Sequence, residues 1–79
     1  MNADKIKVTF GQLLKKARKE KGLSQEQLAH DCSLDRTYIS MLERGINQPS
    51  IITLFVLAKN LEMKASEFVI AMEESNKEV

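Results

Sequence analysis

The sequence predicts an all-α domain, a compact bundle of about five short helices, and three observations predict it. Apolar residues recur at helical spacing in several short stretches, as in Phe10, Leu13, Leu14 and Ala17. Residues that open and close helices punctuate those stretches. The 79 residues suffice for one small domain with a core of marginal size.

Taken in order, Met1 to Val8 reads as a polar lead-in carrying Ile6 and Val8. Thr9 followed by Gln12 has the pattern of a capping box and opens the first helix. Gly22 closes it, because glycine adopts the left-handed conformation common just past a helix. Ser24 with Gln27 forms a second capping box and opens the next helix. A third runs from about Arg36 to Arg44, with Asp35 placed to accept hydrogen bonds from its free N–H groups and Gly45 to stop it. Residues 45–49, GINQP, form a loop. Ser50 caps a fourth helix that runs to about Asn60, and a last helix covers Ala65 to Glu74, leaving Ser75–Val79 as a frayed tail.

The most informative stretch is QEQLAHDCSLDRTYISMLER, residues 25–44. Leu28, Ala29 and Cys32 form one apolar stripe, and Ile39 and Leu42 another. Leu34 plugs the turn between them, and Ala29 is small where two helices cross closely. This is the layout of a helix-turn-helix, whose second helix lies in the DNA major groove. Ile39 and Leu42 decide which face is buried, so Arg36, Thr37 and Ser40 fall largely outward. Arginine grips guanine O6 and N7 through paired hydrogen bonds, and Thr37 offers a methyl to thymine or a hydroxyl to phosphate. Tyr38 is placed to donate to a phosphate. Arg44, Asn47 and Gln48 follow in the loop and suit backbone contacts.

At these residues the chain resembles the Cro and phage-repressor type of XRE-like helix-turn-helix regulators. The resemblance runs from about Phe10 to about Val69 through LLKKARKEKGLSQEQLA, LDRTYIS and LERGINQPSIITLFVLAKNLEM. It implies a lambda-repressor-like fold. It also implies that Gln25 binds a phosphate and braces the third helix, and that Arg18 and Glu43 form a structural ion pair between the first and third helices. LDRTYIS with a short C-terminal helix also looks like the controller proteins of restriction–modification systems. That likeness implies a regulator of its own gene and of a restriction endonuclease gene, activating at low occupancy and repressing at high. The chain departs from such relatives at Ser33, where a turn glycine is usual, at Lys64, where a capping Ser or Thr is usual, and in its less basic Ile46–Asn47 loop.

Composition fits this reading. Hydrophobic residues make up 43% and charged residues 29%, as in a soluble globular chain. The formal net charge is only +1, but it is unevenly spread. Up to Pro49 there are nine Lys and Arg against six Asp and Glu; from Ser50 onward there are three against five. The basic excess therefore lies in the part of the chain that includes the helix-turn-helix, where phosphates would be met. Lys15, Lys16, Lys19 and Lys21 read as a solvated helix face. His30 and Cys32 stand two residues apart on a helix, which points them apart, so no metal site is expected and Cys32 reads as a small core residue. With one cysteine, no intrachain disulfide forms, and no apolar run reaches membrane-spanning length. A cytoplasmic protein with no cofactor, no small-molecule ligand and no enzymatic site is expected: no paired carboxylates, nucleophile–base pair or phosphate-cradling glycine loop is present.

The fourth helix is more apolar than one buried face requires. Ile51, Leu54, Ala58 and Leu61 are expected to form its core stripe. Ile52 and Val56 point about 120° away from its centre at roughly 100° per residue, and Phe55 lies on the border. With Met63, Phe68 and Met72 they make residues 50–74 the expected dimerisation region. One short recognition helix gives few base contacts, so a homodimer on a palindromic operator in double-stranded DNA is the leading expectation, with RNA polymerase a further candidate partner. The alternatives are a phage-type repressor and an antitoxin-like protein-binding module.

Overall fold

The computed structural model describes residues 2–77. It holds α1 (Ala3–Glu20), α2 (Gln25–Cys32), α3 (Arg36–Glu43), α4 (Ile51–Asn60) and α5 (Ala65–Ser75), with no strand among the described residues. α1 packs against α3 and α5, α2 against α3 and α4, and α4 against α5. The five helices thus close around one core of Phe10, Leu14, Leu28, Ile39, Leu42 and Leu57, with Phe68 beside them. The rings of Phe10 and Phe68 lie 5.4 Å apart at a 43° tilt, a geometry favoured by the aromatic quadrupole.

Most caps are those the sequence predicts. Ser24 Oγ accepts from the Gln27 N–H at 3.0 Å, and Gln27 Oε1 accepts from the Ser24 N–H at 2.8 Å. Ser50 Oγ accepts from the Thr53 N–H at 3.0 Å. Gly22 is left-handed at φ 73°, and Ser33 takes the same region at φ 56°, an uncommon conformation for a residue with a Cβ. At Lys64 the reciprocal half of a cap survives: Glu67 Oε1 accepts from the Lys64 N–H at 2.9 Å.

The structure corrects the expected start of α1. Asn2, not Thr9, caps the helix, its Oδ1 accepting from the Asp4 and Lys5 N–H groups at 2.8 and 3.3 Å. Nothing between Lys5 and Val8 breaks a helix, and Ile6 continues the stripe of Phe10 one turn earlier. Thr9 is buried mid-helix, and Asn76 Nδ2 donates to its hydroxyl at 3.4 Å. The frayed tail is corrected in the same stroke. Ser75 is helical and Asn76 is buried, while Glu78 and Val79 lie outside the described residues. Asp35 occupies the N-cap of α3 but its side chain makes no capping bond.

In α4 the buried stripe is Leu54, Leu57, Ala58 and Leu61. Ile51, expected in the core, is 73% exposed, because this first residue of α4 faces an open groove lined by Ile6 of α1 and Val69 of α5. Phe68, expected at a dimer surface, is only 1% exposed. It faces inward because α5 lies across α1, where its ring meets Phe10.

One glycine sets the approach of α1 to α3. A Cβ on Gly11 would lie 2.4 Å from the Leu42 carbonyl oxygen and 2.7 Å from that of Glu43. Alanine in a helix interior ordinarily gains about 1 kcal/mol over glycine. Here the sign reverses: Gly11→Ala is expected to cost about 1–3 kcal/mol through overpacking. Urea denaturation checks this, and a midpoint above that of the wild type would refute it.

Candidate nucleic-acid interface

Three local structures build one face: the start of α2, the outer face of α3 and the loop that follows it. α3 is oriented by its own sequence. Ile39 and Leu42 are fully buried, so the intervening side chains have only one way to point. Arg36 and Thr37 are exposed, and Tyr38 and Ser40 are half-buried at the edge. Arg44 and Gln48 are exposed and Asn47 is half-buried in the loop, which turns on Gly45 at φ 74°.

A buried network fixes this face to the rest of the domain. Arg18 Nε donates to Glu43 Oε2 at 2.6 Å and Nη2 donates to Oε1 at 3.0 Å, a bidentate pair joining α1 to α3. Arg18 Nη1 donates to the Leu23 carbonyl at 2.8 Å. Gln25 Nε2 donates to Glu43 Oε1 at 3.1 Å, so the first residue of α2 is tied to the last of α3. Its amide has a second hydrogen, and the N-terminal N–H groups of α2 lie beside it, a combination suited to an anionic oxygen. The hydrogen bond from Arg18 to Glu43 raises the guanidinium pKa above its ordinary value against the opposing effect of burial.

The remaining candidates make looser contacts. Tyr38 donates its hydroxyl to the Gln48 carbonyl and Arg44 Nε donates to the Ser40 carbonyl, both at 3.4 Å. Bonds this long leave the groups free to exchange partners. Ile46, which makes this loop less basic, stands exposed between Arg44 and Asn47.

The second feature is apolar. Ile51, Ile52, Phe55, Val69 and Ile70 are exposed, with Ile52 at 76% and Phe55 at 56%. Val56, Met63 and Met72 are half-buried and pack against the core, so the chain covers much of them itself, and Phe68 is wholly internal. The patch therefore includes Ile51, Val69 and Ile70, which the sequence reading did not place there. The helical register of α5 could have found Val69 and Ile70 once Phe68 was known to face inward.

The other features are inert. Lys15, Lys16 and Lys19 are exposed, and Lys21 pairs with Glu62. That lysine holds the Glu62 carboxyl below its ordinary range. Burial pushes the Cys32 thiol up, as expected of a core cysteine. Among the described residues, no three His, Cys, Asp or Glu side chains gather as a metal site, and no helix is long and apolar enough to cross a membrane.

The helix-turn-helix family model matches residues 14–68, from the core of α1 to the inner face of α5. The chain belongs to the helix-turn-helix family. Control protein C.MunI of Mycoplasma sp is 46% identical over 63 residues, 78% of this chain and 85% of that protein. The crystal structure of the restriction–modification controller protein C.AhdI from Aeromonas hydrophila superposes with a TM-score of 0.75 at 43% identity, covering 77% of this chain and 92% of that one. The controller protein C.Esp1396I, solved as a tetramer with its natural 35 base-pair operator, gives a TM-score of 0.76 at 36% identity over 87% of this chain and 91% of that one. These relatives are regulators rather than enzymes. This helix-turn-helix chain is a DNA-binding transcription regulator, with α2 and α3 as its signature pair.

In such a domain the Arg18–Glu43 pair is a stability element, and its asymmetry can be measured. Arg18→Ala leaves a buried carboxylate alone and is expected to cost about 3–5 kcal/mol. The double variant Arg18→Met, Glu43→Leu removes both charges and is expected to lose less than Arg18→Ala alone. Denaturant midpoints test the order; a double variant less stable than the single one would contradict it.

Proposed function

We propose that the chain is a homodimeric controller protein that binds a palindromic operator in the cytoplasm and regulates its own gene together with a restriction endonuclease gene. One observation carries this reading: a short α3 with Arg36, Thr37, Tyr38 and Ser40 on its free face, on the same molecule as an exposed apolar patch on α4 and α5. A single eight-residue helix offers few base contacts. Two-fold pairing would double them and set two recognition helices about one DNA turn apart. The likeness to controller proteins along nearly their full length favours this over a phage repressor or an antitoxin. The chain itself would act by binding, not by catalysis.

In this reading Arg36 reads a base, while Gln25, Arg44, Asn47 and Gln48 position the duplex through phosphates. Thr37, Tyr38 and Ser40 complete the groove-facing surface, and Ile52 and Phe55 lie at the centre of the pairing surface with Val56, Met63 and Met72 at its edge. Arg36→Ala is expected to cost about 1–3 kcal/mol at the operator and to relax preference at one base pair. Binding titrations against an operator library check both; full affinity with unchanged preference would remove Arg36 from base reading.

Ile52→Asp probes assembly without touching the core, since Ile52 is almost wholly exposed. The expected product is a helical, folded monomer with greatly reduced operator affinity. Sedimentation equilibrium on wild type and variant decides it. A wild type that stays monomeric at high micromolar concentration would defeat the dimer model.

A further inference from the structure

α1 extends about two turns ahead of Phe10, its first fully core residue, and those turns lie beneath the loop that joins α3 to α4. At the start of the loop, a Cβ on Gly45 would stand 2.9 Å from Val8 Cα, 2.9 Å from Val8 Cγ2 and 3.3 Å from Val8 N. At its end, Ile6 and Lys7 share a groove of 260 Å³ with Pro49 and Ser50. The loop's own hydrogen bonds weaken along its length. Gly45 N–H donates to the Leu42 carbonyl at 3.1 Å and Ile46 N–H to that of Met41 at 3.0 Å. Beyond them, Asn47 N–H reaches Met41 at 3.4 Å, and the Gln48 carbonyl accepts only from Tyr38, also at 3.4 Å. At the start of the loop, close approach to α1 therefore does the holding that hydrogen bonds do not do farther along it.

We infer that Val8 and Gly45 are positioning residues for DNA binding: they seat the loop on α1 so that Asn47 and Gln48 are presented at a fixed height beside α3. The inference rests on the proposed reading that this loop meets phosphates. Gly45 is required twice over. Its φ of 74° suits glycine, and asparagine, which also tolerates that region, would still bring a Cβ against the Val8 backbone. Val8 is 44% exposed, so its value to the core is small, and its methyl over Gly45 is the contact that matters. Phosphate contacts set orientation without reading sequence, so a loop that shifts should weaken binding without changing base preference.

The test is a double-variant cycle on the full chain. Val8→Ala keeps a strong helix former and removes Cγ2. It is expected to weaken operator and random duplex alike by about fivefold, with an unchanged base preference. In the Asn47→Ala, Gln48→Ala background the same change should cost less than about twofold, because the groups it positions are gone. Val8→Ile keeps a carbon at both γ positions and should bind within about twofold of wild type. An equal loss in both backgrounds, or no loss in the wild-type background, overturns the inference. Arg36→Ala run in parallel separates the two readings. If it weakens specific binding while Val8→Ala binds normally, only the positioning role fails; if none of the variants matters, the DNA-facing assignment fails and the positioning role with it.

Discussion

The contact on which the rest depends is the buried pair of Arg18 and Glu43. It is the one place where α1, the entry to α2 and the end of α3 meet through hydrogen bonds. Burying two charges is expensive, and the cost is offset only when geometry is good and the remaining donors and lone pairs are satisfied. Both conditions hold. The guanidinium spends three of its nitrogens on Glu43 and the Leu23 carbonyl, and Glu43 Oε1 accepts a further bond from Gln25. A pair of apolar residues of like volume would serve stability as well. It would not tie the first residue of α2 to the last of α3, which fixes the start of one helix of the motif against the end of the other.

That tie matters because neither helix of the motif can stand alone. α2 and α3 are eight residues each, well short of the length at which an isolated helix persists in water. α3 lacks even a side-chain cap from Asp35. Its order comes from burying Ile39 and Leu42, each worth about 1.5–3 kcal/mol, and from α1 lying across its C-terminal carbonyls at Gly11. Stability is thus drawn from one face and one end of α3, which leaves Arg36 and Thr37 without any intramolecular task. A recognition helix needs this division, since a side chain committed to holding the fold cannot change partners when DNA arrives.

How much of this was legible in the sequence follows the range of the forces involved. Ser24, Gln27, Gly22 and Ser50 act within a few residues, so the end of α1 and the starts of α2 and α4 could be read directly. The outward face of α3 followed from Ile39 and Leu42 alone. Where the reading failed, the deciding partner lay elsewhere in the chain. Thr9 has a helix-opening pattern, yet its hydroxyl meets Asn76 across the domain. Phe68 and Val69 are adjacent and similarly apolar, and only the position of Phe10 on α1 says which of them turns inward. Ile51 obeys the spacing of the α4 stripe but lines an open groove between α1 and α5 and stays exposed. For the site, the loop was visible as a phosphate candidate, but its support by Val8 was not, because a local pattern at Thr9 hid the first two turns of α1.

The distribution of charge and apolar surface bears on the same division of labour. Seven of the nine Lys and Arg before Ser50 fall in residues 5–21 and only Arg36 and Arg44 in the helix-turn-helix itself, while the exposed isoleucines and Phe55 lie mostly on α4 and α5. A domain with that apolar patch on the outer face of α3 would pair through its DNA-binding face and block itself. Keeping them apart lets pairing and DNA binding assist each other. A duplex with two half-sites holds two chains side by side, which raises the local concentration at which their apolar faces meet. Pairing in turn places the second α3 before its half-site has been searched. Neither surface then has to be strong alone, and a patch of a few exposed side chains on a small domain suffices where an obligate dimer would need a far larger one. Under the proposed reading, occupancy of a two-half-site operator then rises more steeply than in proportion to protein concentration, as long as the free chain is largely unpaired. The modest size of the apolar patch is therefore as much a part of the regulatory behaviour as the residues on α3.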